Sequence, residues 1–311
     1  MLELDPPRHT RLRALVLRAF TSRRIKSLAP DIAELAQGLL AALPPDGCNL
    51  LESYCQPLPV RVIARLLGVP EEMAPDLLRW SNAMVAMYQA RRDIRDEENA
   101  IQAAREFAGF MRKHIDMRRK TPADDLITHL ISAEENGEKL STDELISTCI
   151  LLLNAGHEAT VHSLGNAIKL LLETGTPIAA LAPESIDRSV EECLRFDPPL
   201  HMFNRIAKED VVAFGHPFKR GDQVACLLAS ANRDSAAFAN AEAFDPARTI
   251  KANTSFGGGA HFCVGAPLAR LELSIALPAL FLHFPELRLT TPPHYANIYH
   301  FHGLGTLDVA Y

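Results

Sequence analysis

Apolar positions recur at three- and four-residue intervals along most of the chain, and the longest such run extends from Leu145 to Leu172. Ser141-Thr142-Asp143-Glu144 just before it has the spacing of a capping box, in which hydroxyl and carboxylate satisfy each other's backbone N–H groups. Gly175 supplies a stop. The pattern predicts one helix of about 50 Å, long enough to cross a domain. Midway it breaks at Asn154-Ala155-Gly156-His157-Glu158-Ala159-Thr160. Small residues and an acid inside an apolar helix are costly unless something packs or reacts there. A close helix crossing at Gly156, with Glu158 reaching water, accounts for the break equally well.

The same periodicity predicts a turn and helix over 5–20, an amphipathic helix over 22–43, and helices near 53–67, 71–89, 97–119 and 124–135. Residues 184–196 form another helix, ended by Asp197-Pro198-Pro199. Residues 223–232 read as helical, and so does Ala266–Ile275, with Pro267 suited to its first turn. Short alternating stretches between Met202 and Phe218, and again over 287–311, read as strands. There is no internal repeat and no low-complexity linker. The expected fold is mainly α, in a single domain over 1–311.

Composition narrows the function classes. The 311 residues are 48% hydrophobic and 23% charged, which suits a globular protein. A net charge of −6 gives no sign of a nucleic-acid surface. Six cysteines without a C-x-x-C pair point to a reducing compartment, most simply the cytoplasm. No apolar run approaches a membrane span, and the N-terminus lacks the pattern of a signal peptide. The clusters Arg91-Arg92-Asp93 and Arg118-Arg119-Lys120 read as solvated helix ends.

Candidate chemistry concentrates in Phe256-Gly-Gly-Gly-Ala-His-Phe-Cys-Val-Gly265. Three glycines let a backbone come close to a flat ligand. Cys263 falls just before a helix start, where free N–H groups and the dipole favour a thiolate. Such a thiolate is a good axial ligand for haem iron. A lone cysteine is more often a small buried hydrophobe, and the glycine spacing fits neither common phosphate-binding loop. The whole string decides between these. Phe256, Gly259, His261, Cys263 and Gly265 fit F-x-x-G-x-[HR]-x-C-x-G, extended by Leu268-Ala269-Arg270. This resembles the cysteine loop of the cytochromes P-450, the haem-thiolate monooxygenases.

The resemblance implies the cytochrome P-450 fold, with a long central helix over the haem and a small β part. It implies haem b (iron protoporphyrin IX) ligated by Cys263, and dioxygen as co-substrate. Asp5-Pro6-Pro7-Arg8-His9 through Arg13 is similar to a family helix whose His and Arg bind haem propionates. His9 and Arg13 do share a helical face, though the charges alone read as a solvated basic surface. Arg205 and His261 match two further propionate-binding positions, so four side chains would clamp the two carboxylates. Glu192 and Arg195 resemble the family's E-x-x-R, and Arg248 its second arginine, in a structural role. In the central helix the family carries A-G-x-[ED]-T, an acid and an alcohol that deliver protons to bound dioxygen. Here Ala159 stands where the alcohol belongs. Thr160 comes one residue later, turned by about 100°. Water or a substrate hydroxyl would then relay protons supplied by Glu158.

The implied reaction is monooxygenation of a small apolar organic substrate, with electrons from a ferredoxin or flavodoxin and its NAD(P)H reductase. The pocket would be lined by Ala155, Ala159, residues 200–203 and the turn near His300 and Phe301, with His201 and His300 able to touch substrate. Two other readings stay open: a haem-thiolate peroxygenase or rearrangement enzyme, and a non-catalytic remnant. In the family a long segment precedes the Asp-Pro-Pro helix, whereas here Met1 lies four residues before Asp5. The expectation is a truncated chain with open sheet edges that folds poorly or binds haem weakly by itself.

Overall fold

The computed structural model describes residues 1–89, 91–133, 137–249, 252–297 and 301–311. In chain order it builds α1 (Arg8–Ala19), α2 (Ser22–Ser27), α3 (Ala29–Ala41), β1 (Cys48–Asn49), a π-helical turn (Leu51–Cys55), α4 (Pro57–Leu67), α5 (Ala74–Val85), α6 (Ile94–Lys120) and α7 (Leu126–Ser132). Then come α8 (Thr142–Glu173), α9 (Ile186–Phe196), β2 (Met202–Ile206), β3 (Val211–Ala213), β4 (His216–Phe218), β5 (Gln223–Leu227) and α10 (Leu228–Ala231). The chain closes with α11 (Ala266–His283), β6 (Arg288–Leu289) and β7 (Asp308–Ala310). The mainly α expectation holds.

The central helix forms as its ends dictate. Ser141 Oγ accepts the Glu144 N–H at 3.2 Å, and a Glu144 carboxylate oxygen accepts the Ser141 N–H at 3.0 Å. Its 32 residues give a rod of about 48 Å. Gly175, at φ +58°, lies just past the end in the left-handed conformation that only glycine adopts freely. α8 packs against α4, α6, α9 and α11. The helix crossing at Gly156 is real: a Cβ there would come within 3.3 Å of Ile63 on α4.

Two elements differ from the sequence expectation. The helix expected over 22–43 breaks at Leu28, because Pro30 has no N–H to continue the ladder and begins α3 instead. Residues 223–227, expected as helix, form β5 and pair antiparallel with β2 from Met202↔Leu227 to Ile206↔Gln223. A partner strand about twenty residues upstream settles that choice, which a local window does not contain. The remaining strands make a β1-β7-β6 sheet and a β3-β4 hairpin.

α11 also corrects an expectation. Its 18 residues, mean hydropathy 1.2, reach the length and apolarity of a membrane span. However, α11 lies against α3, α8 and α9, burying Leu273, Ala276, Leu277 and Leu280. That is the packing of a core helix. All six cysteines are unpaired thiols.

Candidate active site

The cysteine loop is built on two left-handed glycines. Gly257 sits at φ +68° and Gly259 at φ +66°, and a Cβ on either, or on Gly258, would meet nothing within 4 Å. The backbone therefore presents an open face. The Cys263 N–H donates to the Phe256 carbonyl at 3.0 Å and closes the loop. Half-buried Cys263 accepts the N–H groups of Gly265 and Ala266 at the start of α11. The sequence expectation was a thiol lowered by the helix start. Burial outweighs this and pushes the Cys263 thiol up, against those two N–H groups and the charges of Arg13 and Arg270.

Several residues that no motif singled out fix the loop's approach. Asn232 is fully buried; its amide N–H donates to Ser255 Oγ at 2.8 Å, and its oxygen accepts the Thr254 N–H at 2.7 Å. Ser255 Oγ in turn donates to the Leu194 carbonyl on α9. Arg270, which ends the motif's Leu-Ala-Arg extension, joins them: it pairs with Glu191 and lies 4.5 Å from the Phe256 ring centroid. Single polar residues at such separations leave no periodic signal in a sequence.

Glu192, Arg195 and Arg248 meet in the structure. Arg195 donates all five guanidinium N–H bonds: two to Glu192, and one each to the carbonyls of Asn232, Ala241 and Ala243. Arg248 Nε reaches Glu192 at 3.1 Å, and the Asp245 N–H donates to the same carboxylate. One carboxylate thus lies between two guanidiniums and ties α9 to the segment leading into the loop.

α1 brings His9 and Arg13 to the loop. The His9 and His261 rings lie 4.2 Å apart, and Arg13 donates to the Phe262 carbonyl. His9 is 2% exposed, and its Nε2 has no hydrogen-bond partner. Burial, with His261 and Arg13 nearby, pushes its pKa down. Arg205 stands apart from this group, exposed on β2, with its guanidinium on the Asn204 carbonyl.

On α8, Ala155 is exposed and Ala159 partly so, although most of the surrounding helix is buried. The hydroxyl of buried Thr160 donates back to the Gly156 carbonyl at 3.1 Å. It therefore does not supply the alcohol missing at Ala159. Glu158 lies between two histidines of its own helix, 3.6 Å from His157 Nε2 and 3.7 Å from His162 Nε2. Burial raises the Glu158 carboxyl to about 7 and lowers both imidazoles to about 4.

Of the expected substrate-contacting residues, His201 is exposed and stacks at 4.0 Å on His302, which sequence reasoning did not select. His302 Nε2 lies 3.0 Å from Asp197, which also accepts from Tyr295 and Lys169. His300 lies outside the described residues. A separate cavity of about 270 Å³ opens between α1 and the first turns of α8, lined by Arg8, Leu12, Glu144, Thr148 and Leu151 among others.

An open glycine face, a sulfur held by backbone N–H groups, a buried imidazole nitrogen lacking a partner and a bared strip of core helix suit a flat, iron-bearing, acidic ring. Comparison with known proteins agrees. Residues 63–185 and 184–296 match the family model described as Cytochrome P450. Polyketide biosynthesis cytochrome P450 PksS of Bacillus subtilis (strain 168) is 43% identical over 297 residues, covering 94% of this chain and 72% of that one. Vitamin D(3) 25-hydroxylase of Pseudonocardia autotrophica is 42% identical over 294 residues, covering 93% and 71%. The crystal structure of P450BioI in complex with hexadec-9Z-enoic acid ligated acyl carrier protein superposes with a TM-score of 0.93 at 35% identity, covering 99% of this chain and 80% of that one. The chain belongs to the cytochrome P450 family, and it is a monooxygenase, an oxygen-incorporating oxidoreductase that uses haem-thiolate iron.

Proposed function

We propose that this chain is a single-domain, cytoplasmic haem b monooxygenase acting on a small apolar organic substrate. Its electrons come from a ferredoxin or flavodoxin with an NAD(P)H reductase. The observation that carries this reading is the sulfur of Cys263, held by the N–H groups of Gly265 and Ala266 beneath an open glycine loop. When bound, haem supplies the iron at which dioxygen is activated.

The chain's own residues do the rest. Cys263 would be the residue that holds the haem iron, and Phe256, Gly259 and Gly265 shape the loop around it. His9, Arg13, His261 and Arg205 would be the donors for the two propionates. The orphaned His9 Nε2 is a group that a carboxylate would satisfy, and the exposed Arg205 guanidinium, which gives one N–H to the Asn204 carbonyl, has others to offer. Glu192, Arg195 and Arg248 hold the loop's approach rigid. Ala155, exposed, and Ala159, partly so, would leave room for substrate beside the haem. Glu158 holds the proton nearest that space; with Ala159 and Thr160 offering no hydroxyl there, water or a substrate hydroxyl completes the relay.

The test is a reduced carbon-monoxide difference spectrum of the purified chain, followed by turnover with a ferredoxin–reductase pair. A thiolate-type Soret band with product formation supports the reading. Absence of the band would leave the non-catalytic remnant. A second reading, peroxygenation or rearrangement, is favoured by Ala159 alone. Product formed with peroxide but not with the reductase pair would select peroxygenation.

A further inference from the structure

Glu158 is not a lone acid in an apolar helix. His157 precedes it and His162 follows one turn later, so both imidazoles reach its carboxyl, one to each oxygen. The His157 side chain is 1% exposed, and those of His162 and Glu158 are 10% and 15% exposed. Three titratable groups share this pocket, and little else charged faces them. From α4 the helix meets Ile63 at Gly156, and from α5 it meets Met84 at Asn154. His162 feels the charge of His302 from the C-terminal segment; His302 is itself held by Asp197, which Lys169 also contacts.

Hydrogen bonding distinguishes the two histidines. His157 Nδ1 lies 3.1 Å from the Leu153 carbonyl, so that nitrogen carries the proton. Its Nε2, buried and without a hydrogen-bond partner, is then a bare lone pair facing a carboxyl oxygen. His162 has its buried Nδ1 unpartnered, pressed against Gly303, where a Cβ would lie 1.8 Å away. Its Nε2 faces the other carboxyl oxygen and is the nitrogen able to donate. Distances of 3.6 and 3.7 Å lie just beyond direct hydrogen bonds, and a small rotation or one bridging water closes each.

We propose that His157 and His162 are positioning residues for Glu158: His157 accepts the proton of its acid form, and His162 donates to its carboxylate form. The pair fixes the aim and the protonation of the one acid beside the Ala155–Ala159 face. This rests on the monooxygenase reading only for its use in turnover.

The test does not need turnover. Infrared difference spectra of the full chain follow the carboxylic-acid band that Glu158→Gln removes. Its wild-type midpoint is expected near pH 7. His162→Phe takes away the donor to the charged form and raises the midpoint by about one unit; His157→Phe takes away the acceptor for the neutral form and lowers it by about as much. A merely structural role for two buried rings does not produce opposite signs. His162→Gln keeps an N–H donor and returns the midpoint toward wild type. His162→Leu, a smaller side chain, carries the same expectation as His162→Phe if that variant does not fold. No acid band assignable to Glu158, an unmoved midpoint, or both ring variants moving it the same way would overturn the proposal. A normal carbon-monoxide spectrum alongside such a result would leave the monooxygenase reading intact.

Discussion

Both carboxylate oxygens of Glu192 lie 2.7 Å from guanidinium nitrogens of Arg195, and neither side chain touches water. Removing one partner of a buried pair leaves the other charged and unsolvated. Glu192→Gln should therefore cost about 3–5 kcal/mol in denaturant unfolding. The Phe256–Gly265 loop should also lose its hold on haem, since Arg248 and the Asp245 N–H depend on the same carboxylate. A loss below about 1 kcal/mol would show that the pair is not what ties α9 to the loop.

The pair also shows what was legible in the sequence. Glu192 and Arg195 are three apart on one helix, so their contact could be expected, as could the capping box that starts α8 and the glycine loop before Cys263. Local spacing carries each of these. The three carbonyls that complete Arg195, and the Asn232–Ser255–Leu194 chain, join residues dozens of positions apart. The strand at 223–227 was missed for the same reason: its partner, β2, is not a neighbour in sequence. The partner of the Thr160 hydroxyl was not legible in the sequence, because a threonine in a helix can turn outward or bond back to its own backbone.

Burial of Glu158, His157 and His162 acts on stability in opposite directions. The folded Glu158 pKa, about 7, lies above its ordinary 4.5, so the folded state holds the extra proton between those values. Its stabilising contribution is present below about 4.5 and is lost as pH rises through 7. The folded histidines, at about 4 rather than 6.5, contribute stability above 6.5 that is lost as pH falls through 4. Glu158→Gln should flatten the decline between pH 5 and 7.5, a gain of at most about 3 kcal/mol at the upper end. Urea unfolding at a series of pH values measures it. An unchanged slope would contradict a buried, proton-holding Glu158.

Ala159→Thr places a hydroxyl on the bared face of α8, where Thr160 does not reach. With an external reductase, it should change the fraction of NAD(P)H electrons recovered in product. Equal coupling and equal rate in both proteins would show that the missing alcohol does not matter here.

Gly303 has a packing reason to be glycine, since any Cβ would collide with the His162 ring. Gly303→Ala should cost about 1–3 kcal/mol and displace that ring. Thermal unfolding together with the imidazole proton shifts of His162 in NMR reports both effects. Wild-type stability with an unmoved His162 would contradict the described contact.

The central claim is a bond from Cys263 to haem iron, and the most direct measurement is the reduced carbon-monoxide spectrum of Cys263→Ser beside that of the unaltered protein. Wild type should give the red-shifted Soret band of a thiolate ligand, and the serine variant should lose it even where haem is retained. An identical band in the two proteins would mean that the sulfur of Cys263 is not the ligand.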